Sequence, residues 1–197
     1  MSAGPAPRLI LASTSPYRRA LLDRLGLPFD CVAPQADEER WPGESARDLC
    51  RRLAGLKAQG VAGHYKKAIV IGSDQVALRA GEVLGKPGNA ERCIRQLLDA
   101  SGQVVEFLTA VQVVDGPGGR TETHVDRTCV RFRQLDQEEV VRYVERERPM
   151  DCAGGFKAEA LGISLFDEIE SRDPTALTGL PLIWLCGALR RAGLAVP

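Results

Sequence analysis

Short apolar segments with strand character alternate with helix-period segments along almost the whole chain, and this alternation limits the fold more than any other feature. Leu9–Ala12 predicts a strand, Pro16–Leu25 a helix that stops at Gly26, and Phe29–Ala33 a second strand. No low-complexity linker or internal repeat interrupts the pattern. A chain of 197 residues with this order suits an α/β domain.

The middle of the chain adds antiparallel strands to this pattern. Ala68–Ala77 predicts a strand that Gly81 turns into a hairpin with Val83–Leu84. Val104–Asp115 and Glu122–Phe132 predict two long strands joined by a glycine-rich turn. We therefore expect an α/β fold with a mixed sheet rather than a purely parallel, doubly wound one.

Helix caps and apolar runs predict the remaining elements. In the second helix, which Ser45 caps, Leu49, Leu53 and Leu56 form the expected inward stripe. The remaining elements are a helix capped by Ser45 that runs to about Ala62, a helix capped by Asn89 that runs to about Ala100, a helix at Gln137–Glu147, a strand at Leu161–Phe166 and a closing helix at Leu180–Arg191.

Composition and charge exclude several classes of protein. Apolar residues make up 44% of the chain, and 26 basic residues balance 26 acidic ones. This balance argues against binding to duplex nucleic acid or to an anionic membrane. No apolar run approaches the roughly 20 residues that span a bilayer. We expect a cytoplasmic protein with a disordered tail at residues 1–7 and a single domain at residues 8–197.

The six cysteines are scattered without any Cys-x-x-Cys pair, and the two histidines are far apart. A zinc site normally shows ligand pairs at short spacing. We therefore expect the cysteines to be small buried or half-buried residues in a reducing compartment.

The turn between the first strand and the first helix carries Ser13, Ser15 and Arg18. Hydroxyls, an arginine and the N–H groups of a helix N-terminus together can bind phosphate oxygens. A second interpretation stays open, in which Ser15 only caps the helix, with Pro16 at its first position, and the arginines are solvated. The sequence has no glycine-rich phosphate loop of the Walker type.

Three further segments carry charges that suit metal-bound phosphate chemistry. Asp74 follows Gly72 at the end of a buried strand, and Lys86 directly precedes a predicted helix. The loop after the second strand contains three carboxylates at residues 37–39, and Lys57 lies on the second helix. Each has a simpler alternative: a turn aspartate, two surface lysines and an acidic surface loop.

In this order, the segments resemble the Maf family of nucleotide pyrophosphatases from Arg8 onward. The resemblance is carried by LILASTSPYRR, ADEE, ESARDLCRRLAGLKA, IGSDQV, GEVLGKP, CAGGFKAEALG and DPTALTGLPL. It implies an α/β fold of two lobes around a central cleft, similar to that of the inosine-triphosphate pyrophosphatases, and homodimers are common in such proteins. It also implies an enzyme that cuts a nucleoside triphosphate between its α and β phosphates, giving a monophosphate and pyrophosphate.

The resemblance assigns roles to the charged residues of these motifs. Asp74 and Glu38 would bind a divalent cation and order the attacking water, and Lys86 would act with them in catalysis. One or two hard cations such as Mg²⁺, Mn²⁺ or Co²⁺ suit oxygen ligands of this kind. The residues that would hold the triphosphate are Ser13, Ser15, Arg18 and Lys57.

Three positions indicate one branch of the family. The branch that hydrolyses thymidine and uridine triphosphates has arginine, threonine and glutamine where this chain has Tyr17, Gln75 and Glu159. All three departures match the branch that resembles 7-methyl-GTP pyrophosphatases. Methylation at N7 makes guanine cationic, which attracts an aromatic face. A carboxylate can also accept two hydrogen bonds, from N1–H and the 2-amino group of the base.

Other interpretations remain open at this stage. Tyr17 is otherwise a packing residue, Gln75 a neutral spacer, and Glu159 a partner of Lys157 on the same face of a strand. The alternatives for function are a dTTP/UTP-type pyrophosphatase of the same family and a nucleotide-sensing regulator of cell division. A pure binding module would not need the catalytic residues.

Overall fold

The structure is a computed structural model that describes residues 7–197. In that range the strands are β1 (Arg8–Ala12), β2 (Phe29–Cys31), β3 (Ala68–Arg79), β4 (Glu82–Leu84), β5 (Val104–Asp115), β6 (Arg120–Phe132) and β7 (Phe166–Ser171). The α-helices are α1 (Pro16–Asp23), α2 (Ala46–Ala62), α3 (Ala90–Ala100), α4 (Gln137–Glu147) and α5 (Leu182–Arg191). The predicted α/β class is confirmed. The tail predicted for residues 1–7 lies, apart from Pro7, outside the described residues.

The strands form a mixed seven-stranded sheet with the order β2-β1-β3-β5-β6-β7, and β4 pairs with β3 outside this path. β1 is parallel to both its neighbours, with Leu11 opposite Cys31 of β2 and Ile71 of β3. β3 and β4 form an antiparallel hairpin, and β6 pairs antiparallel with β7. The mixed sheet expected from the antiparallel segments is confirmed.

The described chain divides into two compact units. The first comprises residues 7–74, 109–126 and 173–197, and the second comprises residues 75–108 and 127–172. β3, β5 and β6 therefore contribute residues to both units. None of the helices within residues 7–197 is long and apolar enough to cross a membrane.

In the first unit, alternate residues of β1 enter two separate apolar clusters. Leu9 and Leu11 join a cluster with residues of α1 and α5. Ile10 and Ala12 join a second cluster, which includes Val61 of α2. Because strand side chains alternate between faces, helices cover both faces of this strand, which explains its uninterrupted apolar sequence.

In the second unit, four phenylalanines form a connected aromatic cluster. Their rings meet edge to face, with centroids 4.8 to 5.5 Å apart, which is the preferred geometry for aromatic pairs. The four are Phe107, Phe132, Phe156 and Phe166.

Two expectations about the segment around Lys157 are wrong. The sequence predicts a strand at Leu161–Phe166, but Leu161–Leu165 forms a 3-10 helix and β7 begins at Phe166. Gly162 explains this difference, because its N–H donates to the Lys157 carbonyl oxygen at 3.1 Å. Lys157 and Glu159 therefore share no strand face, and Lys157 Nζ instead lies 3.3 Å from the Glu147 carboxylate.

The inward face of α2 also differs from the prediction. Leu49 and Leu53 are buried as expected, but Leu56 is 37% exposed. The next residue, Lys57, is only 7% exposed, so a charged side chain occupies part of the face predicted to be apolar.

All six cysteines are free thiols. Five are buried or half-buried as predicted, but Cys31 is exposed at the end of β2, which corrects the expectation for that residue. Burial raises the pKa of the Cys93 thiol to about 11, which disfavours the reactive thiolate form at neutral pH.

Candidate active site

The turn after β1 holds its two serines in a ladder of hydrogen bonds. The Ser15 N–H donates to Ser13 Oγ at 3.1 Å, and the Arg18 N–H donates to Ser15 Oγ at 3.4 Å. Ser15 is therefore the N-cap of α1, with Pro16 in the first turn, so the cap that the simpler interpretation expects is present. Because both hydroxyl oxygens act as acceptors here, each hydroxyl can still donate its hydrogen to an anion.

Arg18 is half-buried, whereas the simpler interpretation expects it to be solvated. Its Nε donates to the Gly179 carbonyl oxygen at 3.1 Å, which directs the two terminal nitrogens of the guanidinium away from that carbonyl. Burial lowers the pKa of Arg18, while the negative charges of Asp74 and Glu38 oppose this shift. An arginine retains its charge under such conditions, so Arg18 is a cation beside two carboxylates.

Lys57 joins the two carboxylates that the family resemblance assigns to catalysis. Its Nζ lies 2.6 Å from Asp74 Oδ1 and 2.7 Å from Glu38 Oε1. Lys57 and Asp74 are both buried, whereas the Glu38 side chain is 62% exposed. Burial raises the pKa of Asp74, and the charges of Lys57 and Arg18 oppose this rise. The structure thus brings together the three charged residues that the sequence places on a loop, a helix and a strand.

Gly72 sets the distance between α2 and the strand that carries Asp74. A Cβ at Gly72 would lie 2.4 Å from both the Ala54 carbonyl oxygen and the Ala58 nitrogen, which are backbone atoms of α2. Only glycine permits this close approach of helix and strand. The approach places Lys57, on α2, against Asp74, which follows Gly72 by two residues.

Two residues that sequence reasoning missed support this region. Ser73 is fully buried, and its Oγ lies 2.8 Å from the carbonyl oxygens of both Ala110 and Gly179. The Gly179 carbonyl therefore lies within hydrogen-bond distance of both Ser73 and Arg18. Gly179 has φ of 115°, a left-handed conformation that favours glycine. The motif DPTALTGLPL contains Gly179, but its residues carry no charge pattern that predicts this contact.

Of the four other predicted site residues, three belong to the second unit. Gln75 is half-buried on β3, Lys86 is exposed between β4 and α3, and Glu159 is exposed in a turn after Lys157. In the first unit, Tyr17 is half-buried in the first turn of α1. The roles of these four residues, like those of the other predicted site residues, stay predictions.

The donor atoms at Asp74 and Glu38 fit a hard divalent cation. Both are carboxylates, both reach the same ammonium group, and oxygen ligands are those that Mg²⁺ and Mn²⁺ prefer. Within residues 7–197 no group of three or more histidine, cysteine, aspartate or glutamate side chains could hold a metal ion. Two carboxylates leave coordination positions for substrate phosphates and water, as is usual for Mg²⁺.

Comparison with known families identifies the class of this chain. Residues 8–192 match the model of the Maf-like protein family, so the chain belongs to that family, as its motifs predict. The fold is similar to that of the Staphylococcus aureus Ham1 protein, with a TM-score of 0.53 and 14% identity over 95% of this chain and 100% of that one. This likeness concerns the fold alone.

Two relatives with much higher sequence identity are named for a specific activity. A protein of Pseudomonas aeruginosa named 7-methyl-GTP pyrophosphatase is 52% identical over 191 residues, which is 97% of this chain and 100% of the relative. A protein of Xanthomonas axonopodis pv. citri with the same name is 55% identical over 192 residues, again covering 97% of this chain and 100% of the relative.

Proposed function

We propose that this protein hydrolyses 7-methyl-GTP to 7-methyl-GMP and pyrophosphate, and so removes a modified nucleotide from the pool. The observation that carries the proposal is the arrangement of Asp74, Lys57 and Glu38 beside the anion-binding turn that contains Arg18. The names of relatives at 52% and 55% identity support the choice of substrate.

The turn after β1 would hold the phosphates. Ser13 and Ser15 donate their hydroxyl hydrogens, and the N-terminus of α1 adds the positive end of the helix dipole. Arg18, oriented by the Gly179 carbonyl, contacts phosphate oxygens with its terminal nitrogens. These contacts are the same for every nucleoside triphosphate, so they supply affinity without selecting the base.

In the reaction, a water oxygen forms a bond to the α phosphorus while the bond from that phosphorus to the bridging oxygen breaks, and pyrophosphate leaves. Asp74 accepts a proton from the water. Lys57 and Lys86 offset the negative charge that develops on the phosphate oxygens. A divalent cation held by Asp74 and Glu38 supplies further positive charge to the phosphates when it is bound.

Tyr17 and Glu159 would select the base. The tyrosine ring attracts the positive charge of 7-methylguanine, an interaction of about 0.5–2 kcal/mol. The Glu159 carboxylate accepts from N1–H and the 2-amino group, and its charge complements the cationic ring. Gln75 follows Asp74 directly in the chain and would shape the pocket beside it.

A nucleotide panel tests the proposal. Purified protein is incubated with 7-methyl-GTP, dTTP, UTP or CTP, with and without Mg²⁺, and pyrophosphate release is measured. We expect the highest kcat/KM with 7-methyl-GTP. A preference for dTTP or UTP would assign the chain to the pyrimidine branch. Tight binding without pyrophosphate release from any nucleotide would support a nucleotide-sensing regulator instead.

Three further expectations from the family accompany this proposal. The cation requirement should be met by Mg²⁺, Mn²⁺ or Co²⁺, the protein should act in the cytoplasm, and it should form homodimers. Each has its own measurement: metal titration, cell fractionation, and sedimentation of the purified chain.

A further inference from the structure

Glu38 lies on a segment whose conformation needs support. Residues 32–44, here called the Glu38 loop, connect β2 to α2 and contain no helix or strand. The Glu38 side chain is 62% exposed, so burial does little to restrict it. Ordering such a loop costs conformational entropy that other contacts must offset.

A largely buried ion pair lies at the end of this loop. Arg52 Nε is 2.6 Å from Glu44 Oε1, and Arg52 Nη2 is 2.8 Å from Glu44 Oε2, which is the bidentate geometry of the strongest charge-assisted hydrogen bonds. The two side chains are 14% and 6% exposed. Removing either side chain would leave the other charge without this partner.

The same guanidinium also holds the backbone next to Glu38. Arg52 Nη2 donates to the Glu39 carbonyl oxygen at 2.8 Å, directly after Glu38 in the chain. The guanidinium carbon lies 4.1 Å from the centre of the Trp41 ring, a cation–π contact. The backbone N–H of Trp41 in turn donates to Glu44 Oε2 at 3.2 Å. The loop therefore folds around one arginine of α2.

We propose that Arg52 and Glu44 are positioning residues that hold the Glu38 carboxylate where it can bind a divalent cation together with Asp74. Arg52 and Lys57 both lie on α2, so one helix carries the group that orders the loop and the ammonium that Glu38 contacts. The inference rests on the proposed function in that it treats Glu38 as a cation ligand.

Direct measurement of Mn²⁺ binding tests the inference without using enzyme activity. Binding to the full chain is followed by the loss of the free-ion signal in electron paramagnetic resonance, with no nucleotide added. Arg52→Lys keeps the charge but cannot form the bidentate pair. Groups that orient metal ligands typically contribute about 10- to 100-fold in metal affinity, so we expect the variant to bind Mn²⁺ at least about 10-fold more weakly. The matched control is Arg51→Lys on the exposed neighbouring position of α2, which should bind as the wild type does.

A double-mutant cycle distinguishes positioning from general stabilisation. Glu38→Gln alone should weaken Mn²⁺ binding, and adding Arg52→Lys to it should cause no further loss, because Arg52 acts through Glu38. An equal loss in both backgrounds would overturn the inference, as would unchanged affinity in a folded Arg52→Lys protein. If Arg52→Lys does not fold, Glu44→Gln replaces it in the cycle, and loss of the fold in both variants would assign the pair to stability alone.

The failure of this inference is separable from failure of the proposed function. A wild-type protein that binds Mn²⁺ in an Arg52-dependent way but releases no pyrophosphate from any nucleotide would refute the proposed function and support the inference. A wild-type protein that hydrolyses 7-methyl-GTP but binds no Mn²⁺ would refute the inference and retain the function.

Discussion

Replacing Gly72 with alanine tests whether the contact between β3 and α2 determines the catalytic geometry. The added Cβ would lie 2.4 Å from the carbonyl oxygen of Ala54 and 2.4 Å from the nitrogen of Ala58. These are backbone atoms, which cannot rotate away as the end of a side chain can, so α2 must move off the strand. Lys57 would move with the helix, whereas Asp74 would stay on β3.

The size of the effect follows from these distances. Ordinary contacts begin at 3.4 Å, so a contact at 2.4 Å requires a shift of about 1 Å. A misplacement of about 1 Å in an active site can lower the rate by about 100-fold. Overpacking typically costs about 1–3 kcal/mol in the free energy of unfolding, which lowers Tm by about 2–12 °C for a chain of this size. We expect a folded protein with about 100-fold lower kcat/KM.

Pyrophosphate release from 7-methyl-GTP and thermal melting are measured on the same preparations. The matched control is Gly60→Ala on the exposed side of the same helix, where a Cβ would lie 3.6 Å from the Gln35 carbonyl oxygen, an ordinary contact. This change should leave activity intact and stabilise the helix by about 0.5–1 kcal/mol.

Wild-type activity in Gly72→Ala would refute the reasoning. A lowered Tm with unchanged kcat/KM would show that the close approach serves packing and does not set the Lys57–Asp74 distance. A large loss of activity in Gly60→Ala would contradict it as well, because α2 would then be sensitive to any added methyl group.

Asp74→Asn should abolish pyrophosphate release, because it removes a charge and keeps the shape, and it should also lower Tm, because it leaves the buried Lys57 without one of its two carboxylate partners; near-normal turnover in the folded variant would contradict a catalytic role. A chelator should stop the reaction and added Mg²⁺ restore it, and chromatography should find monophosphate and pyrophosphate, since diphosphate and orthophosphate would place the cut at another bond. Glu159→Gln should lower kcat/KM for 7-methyl-GTP roughly ten- to hundredfold through loss of about 1.5–3 kcal/mol, and Tyr17→Ala should cost less, up to about 2 kcal/mol. Variants of Arg18 or Lys86 should lower the activity with every nucleotide alike. An unchanged 7-methyl-GTP to UTP ratio in the Tyr17 and Glu159 variants would show that neither residue reads the base.

Elements defined by neighbouring residues could be predicted from the sequence. Ser45 Oγ accepts from the Asp48 N–H at 3.1 Å, and Asn89 Oδ1 accepts from the Arg92 N–H at 2.9 Å, so both predicted helix caps are confirmed. The hairpin at Gly81 is confirmed for the same reason, since its turn depends on local backbone geometry.

Elements that depend on distant residues were harder to predict. The apolar run at Leu161–Phe166 fits a strand or a buried helical segment equally well, and the bond from Gly162 to Lys157 decides between them. Lys57 is buried because carboxylates from a loop and a strand neutralise it, which the helical pattern alone does not reveal. Helical periodicity predicts that Leu56 faces the core, whereas in the structure Lys57 is buried instead, because it forms ion pairs with Asp74 and Glu38.

In the candidate site too, some features could be predicted from the sequence and others could not. Chemistry-bearing side chains such as Arg18 and Asp74 could be singled out from residue type and their position at strand ends. The supporting contacts of Ser73 and Gly179 could not be predicted, because a buried serine and a backbone carbonyl have no distinctive signal in a single sequence.

The bond between Arg18 and the Gly179 carbonyl joins positions separated by 161 residues. During synthesis the serine–arginine turn emerges early, and the segment that orients its guanidinium emerges near the end. Long-range contacts of this kind form only after the intervening chain has paid its loop-closure entropy. A chain that terminates before Gly179 therefore lacks the carbonyl that orients Arg18. The orientation of Arg18 is therefore a property of the folded, full-length chain and not of the turn that carries this residue.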